Sequence, residues 1–526
     1  MDHIRLIWST LAIASFVALV VVLGCWLWCK YYKQQQVPPG PMNWPLLGAV
    51  PELLSNWDRL HDWFLDYFRH TRSFRVPFQL NFTGVFTVDP ACVEQLLKSK
   101  CYNYPKGPAN TTTFQELFGH GIFNVDGDEW KQQRRVASFE FASSVLRNFS
   151  TDVFQECALK LIFHVAHNAQ SSSTFDLQDL CMRMTLETTC RIGFGVELGC
   201  LSASLPDIPF ARCFDDANYI SFYRFTDPFW KLKQFMCVGK ERELKNCMQV
   251  LDNFTYKVIQ TRRTEMASAE LFRRTKMVRQ DLLSRFTHLS TMGEEKLTDK
   301  TLRDIILNFI IAGRDTSAVT LTWFFYMMSC HPEVADKVFE EVCSIEQPNS
   351  DLVEEAQFEA FAKLLTFETL GKMAYLQAAL SETLRLFPAV PLNSKQAIAD
   401  DVLPDGTVVK KGWLLGYVPY SMGRMKFIWG ADALEFKPDR WLKNGIYQPE
   451  SPFKFTAFQA GPRMCLGKDS AFLQMKLTAA LVLRFFHIHL VPGHHVTYRT
   501  MLVLAMLHGL KVTVKKRDLH QHKTSH

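Results

Sequence analysis

One cysteine stands in a setting built to keep a thiolate. Cys465 lies in Phe458-Gln-Ala-Gly461-Pro-Arg463-Met-Cys465-Leu-Gly467, and an apolar run over 468–486 follows it directly. A thiolate that is to hold a metal must stay deprotonated without becoming a reactive liability. Gly461 and Gly467 permit a tight turn in which backbone N–H groups point at the sulfur. A helix that begins just after Cys465 sets its positive end beside the anion. Arg463, two residues earlier, is placed to meet a second negative group. Most cysteines are merely buried and structural, but here four other fixed positions fit a ligand loop.

A second constellation sits inside the best helix of the chain, 298–330. Thr298 and Asp299 suit its first turn, and His331-Pro332 ends it. Midway comes Ala312-Gly313-Arg314-Asp315-Thr316-Ser317. Glycine in a helix interior costs roughly 1 kcal/mol against alanine. The expected compensation is space, so that a flat group can approach the backbone at Gly313. Thr316, three residues on, offers a hydroxyl on the same face, and Asp315 could feed it protons. Read alone, the segment is equally a helix kink packed on a neighbour. Glu382 and Arg385 share a helical face at i and i+3, a pairing common on helix surfaces. Trp130 and Arg134 lie four apart in a basic stretch that would pass for a solvated helix.

Taken together, the spacing Phe-x-x-Gly-x-Arg-x-Cys-x-Gly ending at Gly467, the Ala312–Ser317 segment, and Glu-x-x-Arg at Glu382–Arg385 resemble the cytochrome P450 family. So does Phe436-Lys-Pro438-Asp-Arg440-Trp441. Ala312–Ser317, Asp400-Asp-Val-Leu-Pro-Asp-Gly-Thr407, Tyr417-Val-Pro-Tyr-Ser-Met-Gly-Arg424 and 453–463 resemble plant fatty-acid ω-hydroxylases of the cutin, suberin and sporopollenin branch. The resemblance implies haem b with Cys465 as axial iron ligand, pushing electron density to help O–O cleavage. It implies Phe458 and Gly461 as loop contacts, Arg463, Trp130 and Arg134 on the haem carboxylates, and Thr316 with Asp315 as proton relay. Glu382, Arg385 and Arg440 would form a structural network. One oxygen atom of O₂ would enter a C–H bond, with electrons from NADPH through a separate flavoprotein reductase. The chain has no Gly-x-Gly-x-x-Gly fingerprint of its own. Lys131, Arg135 and Lys468 would form a basic docking face for that partner.

The substrate the resemblance implies is a long-chain fatty acid attacked at its terminal carbon. Candidate pocket residues are Phe114, Phe123, Ala312, Val390, Leu392 and Leu504. Relatives often carry Asp where this chain has Asn393, which leaves chain length and position of attack open. Open too are in-chain attack or another lipophilic substrate, a haem-thiolate isomerase or dehydratase needing neither O₂ nor reductase, and a haem-binding sensor or carrier without turnover. Dependence on NADPH separates the first two classes.

The rest of the chain must position these residues. Its 526 residues are 48% apolar with 42 Phe, enough for a large core or apolar cavity. A net charge of +6 is too mild and dispersed for nucleic acid. Fourteen cysteines without a Cys-x-x-Cys pair suggest free thiols in a reducing compartment. Residues 6–29 carry no charge. As a helix at ~1.5 Å per residue that segment is about 36 Å long, against a hydrocarbon core of about 30 Å. It ends in Trp26-Leu-Trp28-Cys-Lys30-Tyr-Tyr-Lys33, an aromatic belt and a lysine stop rather than a cleavage site. We expect a retained single-pass anchor in the endoplasmic reticulum, with the bulk of the protein cytosolic. A proline-rich hinge follows at 30–45, then one catalytic domain at 46–516 and a polar tail at 517–526. The domain should be mainly α, with helices at 153–169, 267–287, 298–330 and 372–387. Small peripheral strands are expected at 74–80, 85–88, 408–410 and 413–418, the last pair after an Asp405-Gly406 turn. The acidic stretch 344–369 reads as a surface loop.

Overall fold

The computed structural model describes Gly24 and residues 40–79, 82–141, 144–271, 281–284, 286, 298–345 and 353–518. The expected anchor, most of the hinge and nearly all of the tail lie outside the described residues, as does most of the expected helix 267–287. Among the described residues no helix is long and apolar enough to cross a membrane.

In chain order the elements that build the site begin with α1 (Leu60–Phe68), β1 (Ser73–Gln79) and β2 (Phe82–Thr87). Then come α2 (Gly127–Phe141), α3 (Ser144–Gln170), α4 (Leu177–Phe194), α5 (Pro209–Tyr223) and α6 (Lys240–Leu271). The central helix is α7 (Asp299–Ile310), a π turn (Ile311–Asp315) and α8 (Thr316–Cys330). After it follow α9 (Ala374–Leu386), β3 (Asn393–Gln396), β4 (Leu414–Tyr417), α10 (Lys468–Phe485), β5 (Phe486–Leu490) and β6 (Lys511–Lys516). The mainly α expectation holds, with small sheets at the periphery.

The central helix starts where Thr298 accepts the Thr301 N–H at 3.1 Å, and stops at His331 because Pro332 opens the next helix. Its apolar faces are covered by α4, α9 and α10, so it is hydrophobic nearly all round in α8. Two buried polar side chains on α7 do a different job. Asp304 accepts the His120 N–H at 2.8 Å. Asn308 accepts the Phe123 N–H at 3.0 Å and donates to the Phe118 carbonyl at 3.0 Å. The loop 118–124 is thereby pinned to the central helix, with its aromatic side chains set in place.

The largest sheet runs β1-β2-β4-β3. β1 and β2 form an antiparallel hairpin, β2 runs parallel to β4 with Gly84 opposite Leu414, and β3 is antiparallel to β4 with Asn393 opposite Tyr417. β5, β6 and the two-residue strand Phe175–Asp176 make a second sheet. The stretch 344–369 departs from expectation. Residues 346–352 lie outside the described set, but the rest folds into helices Glu354–Leu364 and Phe367–Lys372. Their acids face water while Phe358, Phe361, Ala362 and Leu365 are buried, and Phe358 and Phe361 pack edge-on to Phe485. Those four recur at helical spacing, which the acidic composition masked. All cysteines among the described residues are free thiols, half of them buried.

Candidate functional site

The loop before α10 is held by close backbone approach. Gly461 has φ +64, and a Cβ there would collide with the Leu97 carbonyl. The Cys465 N–H donates to the Phe458 carbonyl at 2.9 Å, closing the turn. Cys465 is accessible to solvent, yet protein surrounds it closely enough to push its thiol pKa up. Cys465 is thus accessible at a spot crowded by protein atoms. The Gly467 N–H and the charges of Arg134 and Lys468 act the other way, favouring thiolate. A bound metal cation would complete that deprotonation.

Beside the loop lies a cluster rich in positive charge. Arg463 donates to Asp126 Oδ1 at 2.7 Å and to the Val125 carbonyl at 2.9 Å, and its guanidinium lies 4.5 Å from the Trp130 ring centroid. Asp126 also accepts the Lys106 and Gly107 N–H groups at 2.9 and 3.1 Å. Lys106 is driven down to about 8, first by burial and then by Arg463. Lys395, on β3 and 5% exposed, falls well below its ordinary value from burial and from Lys106 and Arg463. Arg134 presses on Arg463 in the same sense. Lys106, Lys395 and Arg463 thus share the charge of one hydrogen-bonded carboxylate, with Arg134 beside Arg463, an arrangement short of negative charge. A flat group with two carboxylates and a metal that binds sulfur fits both the cluster and the loop. Lys106, Lys395 and Asp126 escaped the sequence reading. Only the Pro105-Lys106-Gly107 turn, with Gly107 at φ +74, marked the first of them.

A cavity of about 200 Å³ reaches the middle of the central helix, where Ile311, Ala312 and Thr316 line it. Phe114, Phe123, Val390 and Leu392 line it as expected. Phe225, Phe114, Phe118 and Phe123 form a chain of rings with centroids 5.9, 5.6 and 6.4 Å apart. Leu504 does not line the cavity. It is fully buried, its N–H donates to the Ala389 carbonyl at 3.0 Å and its carbonyl accepts the Trp323 indole at 2.7 Å, so Leu502 and Val503 face the space instead. Asn393 also lines it and accepts from Gln459 Nε2 at 2.6 Å, while the Tyr417 hydroxyl donates to Gln459 Oε1.

The central segment differs from expectation at one residue. A Cβ on Gly313 would lie 2.6 Å from Thr189 Oγ1 and 3.2 Å from its Cγ2. The room beside Gly313 is therefore filled by α4, and the residues of this segment that face the cavity are Ile311, Ala312 and Thr316. The Thr316 hydroxyl donates to the Ala312 carbonyl at 2.6 Å within the π turn, a local widening often found at functional sites. Asp315 is fully buried beside Arg314.

Glu382 and Arg385 are fully buried and form a bidentate pair at 2.7 Å through both oxygens. Glu382 also accepts from Arg440, Trp441 and the Lys437 N–H, each at 2.9 Å. Arg385 spends its remaining donors on the carbonyls of Gly423, Ala433 and Glu435. No lone pair of this acid is idle, and it clamps the segment leading to the cysteine loop.

The Cytochrome P450 family model matches residues 38–514. Cytochrome P450 704B1 of Arabidopsis thaliana is 46% identical over 95% of this chain and 100% of its own length. Cytochrome P450 704C1 of Pinus taeda is 46% identical over 94% and 96%, and Cytochrome P450 86B1 of Arabidopsis thaliana 41% over 91% and 86%. The crystal structure of the cytochrome P450DA heme domain shares the fold with a TM-score of 0.73 over 92% of this chain and 97% of that one, at 20% identity. A thiolate loop beside a cation cluster wanting two carboxylates, on a chain alike end to end with these relatives, makes this protein a member of the cytochrome P450 family, haem-thiolate monooxygenases that typically draw electrons from NADPH through a reductase.

Proposed function

We propose that the protein hydroxylates long-chain fatty acids at the terminal carbon, for lipid polymers of the cutin, suberin or sporopollenin kind. The observation that carries the reading is the aromatic collar of Phe114, Phe118 and Phe123 on a cavity that reaches Ala312 and Thr316. A primary C–H bond is stronger than its secondary neighbours, so an unconstrained chain would react internally. Terminal attack needs a passage that admits only the chain end. Lining residues such as Phe64, Phe78, Phe86 and Leu60 offer the rest of the chain an apolar bed.

In this reading Cys465 holds the haem iron, Phe458 and Gly461 shape the loop around it, and Arg463, Trp130 and Arg134 hold the carboxylates. Lys106 and Lys395 join them there. The haem supplies the activation of O₂. Thr316 and Asp315 hold and pass the protons that step consumes, and the Thr316 hydroxyl, already donating to Ala312, keeps its own oxygen free to accept. Exposed Lys131, Arg135 and Lys468 flank the cysteine loop and dock an acidic reductase. The anchor at 6–29 holds the domain on the cytosolic face of the endoplasmic reticulum.

Microsomes holding the protein and a reductase, given a ladder of fatty acids, should yield ω-alcohols by mass spectrometry. Phe123→Ala should move product to the one or two carbons before the terminus. Mainly mid-chain alcohols from the wild type would sink the ω reading and leave the monooxygenase intact.

A further inference from the structure

The π turn meets α5 across a buried ion cluster. Arg314 Nη1 donates to Asp215 Oδ1 at 2.6 Å and to Asp315 Oδ1 at 2.8 Å, and Nη2 reaches Asp215 Oδ2 at 3.3 Å. The Arg314 side chain is 2% exposed and that of Asp315 0%, whereas Asp215 on α5 reaches solvent at 36%. One guanidinium therefore serves two carboxylates, and the three groups would carry a net negative charge were both acids ionised. Asp315 Oδ2 and Arg314 Nε have no hydrogen-bond partner. A buried carboxylate oxygen without a partner is costly; as a protonated carboxyl the same group is far cheaper.

Other groups facing Asp315 do not supply the missing charge. Asn218 of α5 lies close enough to favour the carboxylate, although its amide nitrogen makes no hydrogen bond. On the α4 side, Cys190 and Cys200 stand near Arg314 with thiols pushed up by burial, so both are neutral. Glu187 behind them is occupied by the N–H groups of Leu198 and Cys200 at 3.0 and 2.8 Å. Burial raises Asp315 to about 7; Arg314 opposes that rise and Asp215 adds to it.

We propose that Asp215 is a positioning residue for the oxygenation reaction: by drawing Arg314 toward the outside it leaves Asp315 able to carry a proton next to Thr316. This rests on reading Asp315 and Thr316 as the relay. In each cycle Asp315 gives one proton from its carboxyl toward Thr316 and becomes a carboxylate held by Arg314. It regains one proton from solvent water, and no electrons move. α5 runs on toward Phe222, Phe225 and Thr226 at the cavity, so the element that meets the substrate also carries the residue that holds Arg314.

Infrared titration of the purified holoenzyme tests this. The protonated carboxyl band of Asp315 is identified by its loss in Asp315→Asn. In Asp215→Asn, Arg314 serves Asp315 alone, so the midpoint of that band should fall by at least one pH unit, a tenfold loss of protonated acid above both midpoints. The yield of product per NADPH, which falls as pH rises through that midpoint, should lose its alkaline limb by the same amount. Asp215→Glu should restore both. Asp215→Ser repeats the comparison without an amide that can itself pair with Arg314. An unmoved midpoint in Asp215→Asn and Asp215→Ser, with haem content and circular dichroism intact, overturns the inference. If instead Asp315→Asn leaves the coupling unchanged, the relay reading itself fails, and that result is seen without any Asp215 variant.

Discussion

Single side chains carry the sharpest consequences here. Cys465 has the Gly467 N–H and the charges of Arg134 and Lys468 beside it. Cys465→His should therefore abolish the red-shifted Soret band of the reduced, carbon monoxide-bound protein; a mutant that keeps the band would remove Cys465 as ligand. Gly313 and Thr189 are coupled by sheer proximity. Gly313→Ala should destabilise by about 1–3 kcal/mol through overpacking, while Thr189→Ala clears Oγ1 and Cγ2 and should recover most of that loss. Denaturant unfolding of the double-mutant cycle measures this, and purely additive effects would refute the contact. Cys465 stood out as the candidate ligand because its signature is local: glycines, an arginine and a helix start within ten residues. The occupant of the space beside Gly313 was not, because a small residue in a helix announces close approach without saying by what.

At the level of elements, the Glu382 network ties α9 to the segment 423–441. Every oxygen lone pair of Glu382 is used, so truncating Arg385 removes the bidentate partner of a fully buried carboxylate and leaves Arg440 as its one charged partner among the described residues. Arg385→Ala should cost about 3–5 kcal/mol, read as a lowered denaturation midpoint and poor haem retention, and a loss under 1 kcal/mol would show that water repairs the gap. The helix–stop signals at Thr298 and His331-Pro332 placed the central helix to within a residue, since capping chemistry is written next to the end it caps. The strand positions were nearly as clear. The helices at Glu354–Leu364 and Phe367–Lys372 were hidden by acidic composition, and Leu504 by its pattern. An apolar residue beside others in a loop can point to either side, and only the hydrogen bonds with Ala389 and Trp323 decide which.

For the whole molecule, the cation cluster is the lesson. Lys106, Lys395, Arg134 and Arg463 come from four separate parts of the chain, so no local pattern could join them. The proposed cytosolic orientation of the domain has its own test. Asn148 and Asn253 begin glycosylation sequons on exposed helix surface, whereas the sequon at Asn110 is buried with its amide donating to the Lys106 carbonyl at 2.6 Å; the fourth, at Asn81, lies outside the described residues. On a cytosolic domain the exposed pair stays unmodified. Glycosidase treatment of the native protein should leave its gel mobility unchanged, and a shift would reverse the topology.

The parallel pairing of β2 with β4 sets the timing of the protein's birth. Gly84 leaves the ribosome some 330 residues before its partner Leu414. At about 5–20 residues per second that is an interval of tens of seconds. Throughout it the hairpin of β1 and β2 exposes an unpaired strand edge, an invitation to wrong partners. A nascent chain arrested before 400 should therefore be held by chaperones or lost to aggregation, and one arrested after 420 should be markedly more soluble. The cavity, whose lining begins at Leu53, is complete only once Leu502 and Val503 have emerged.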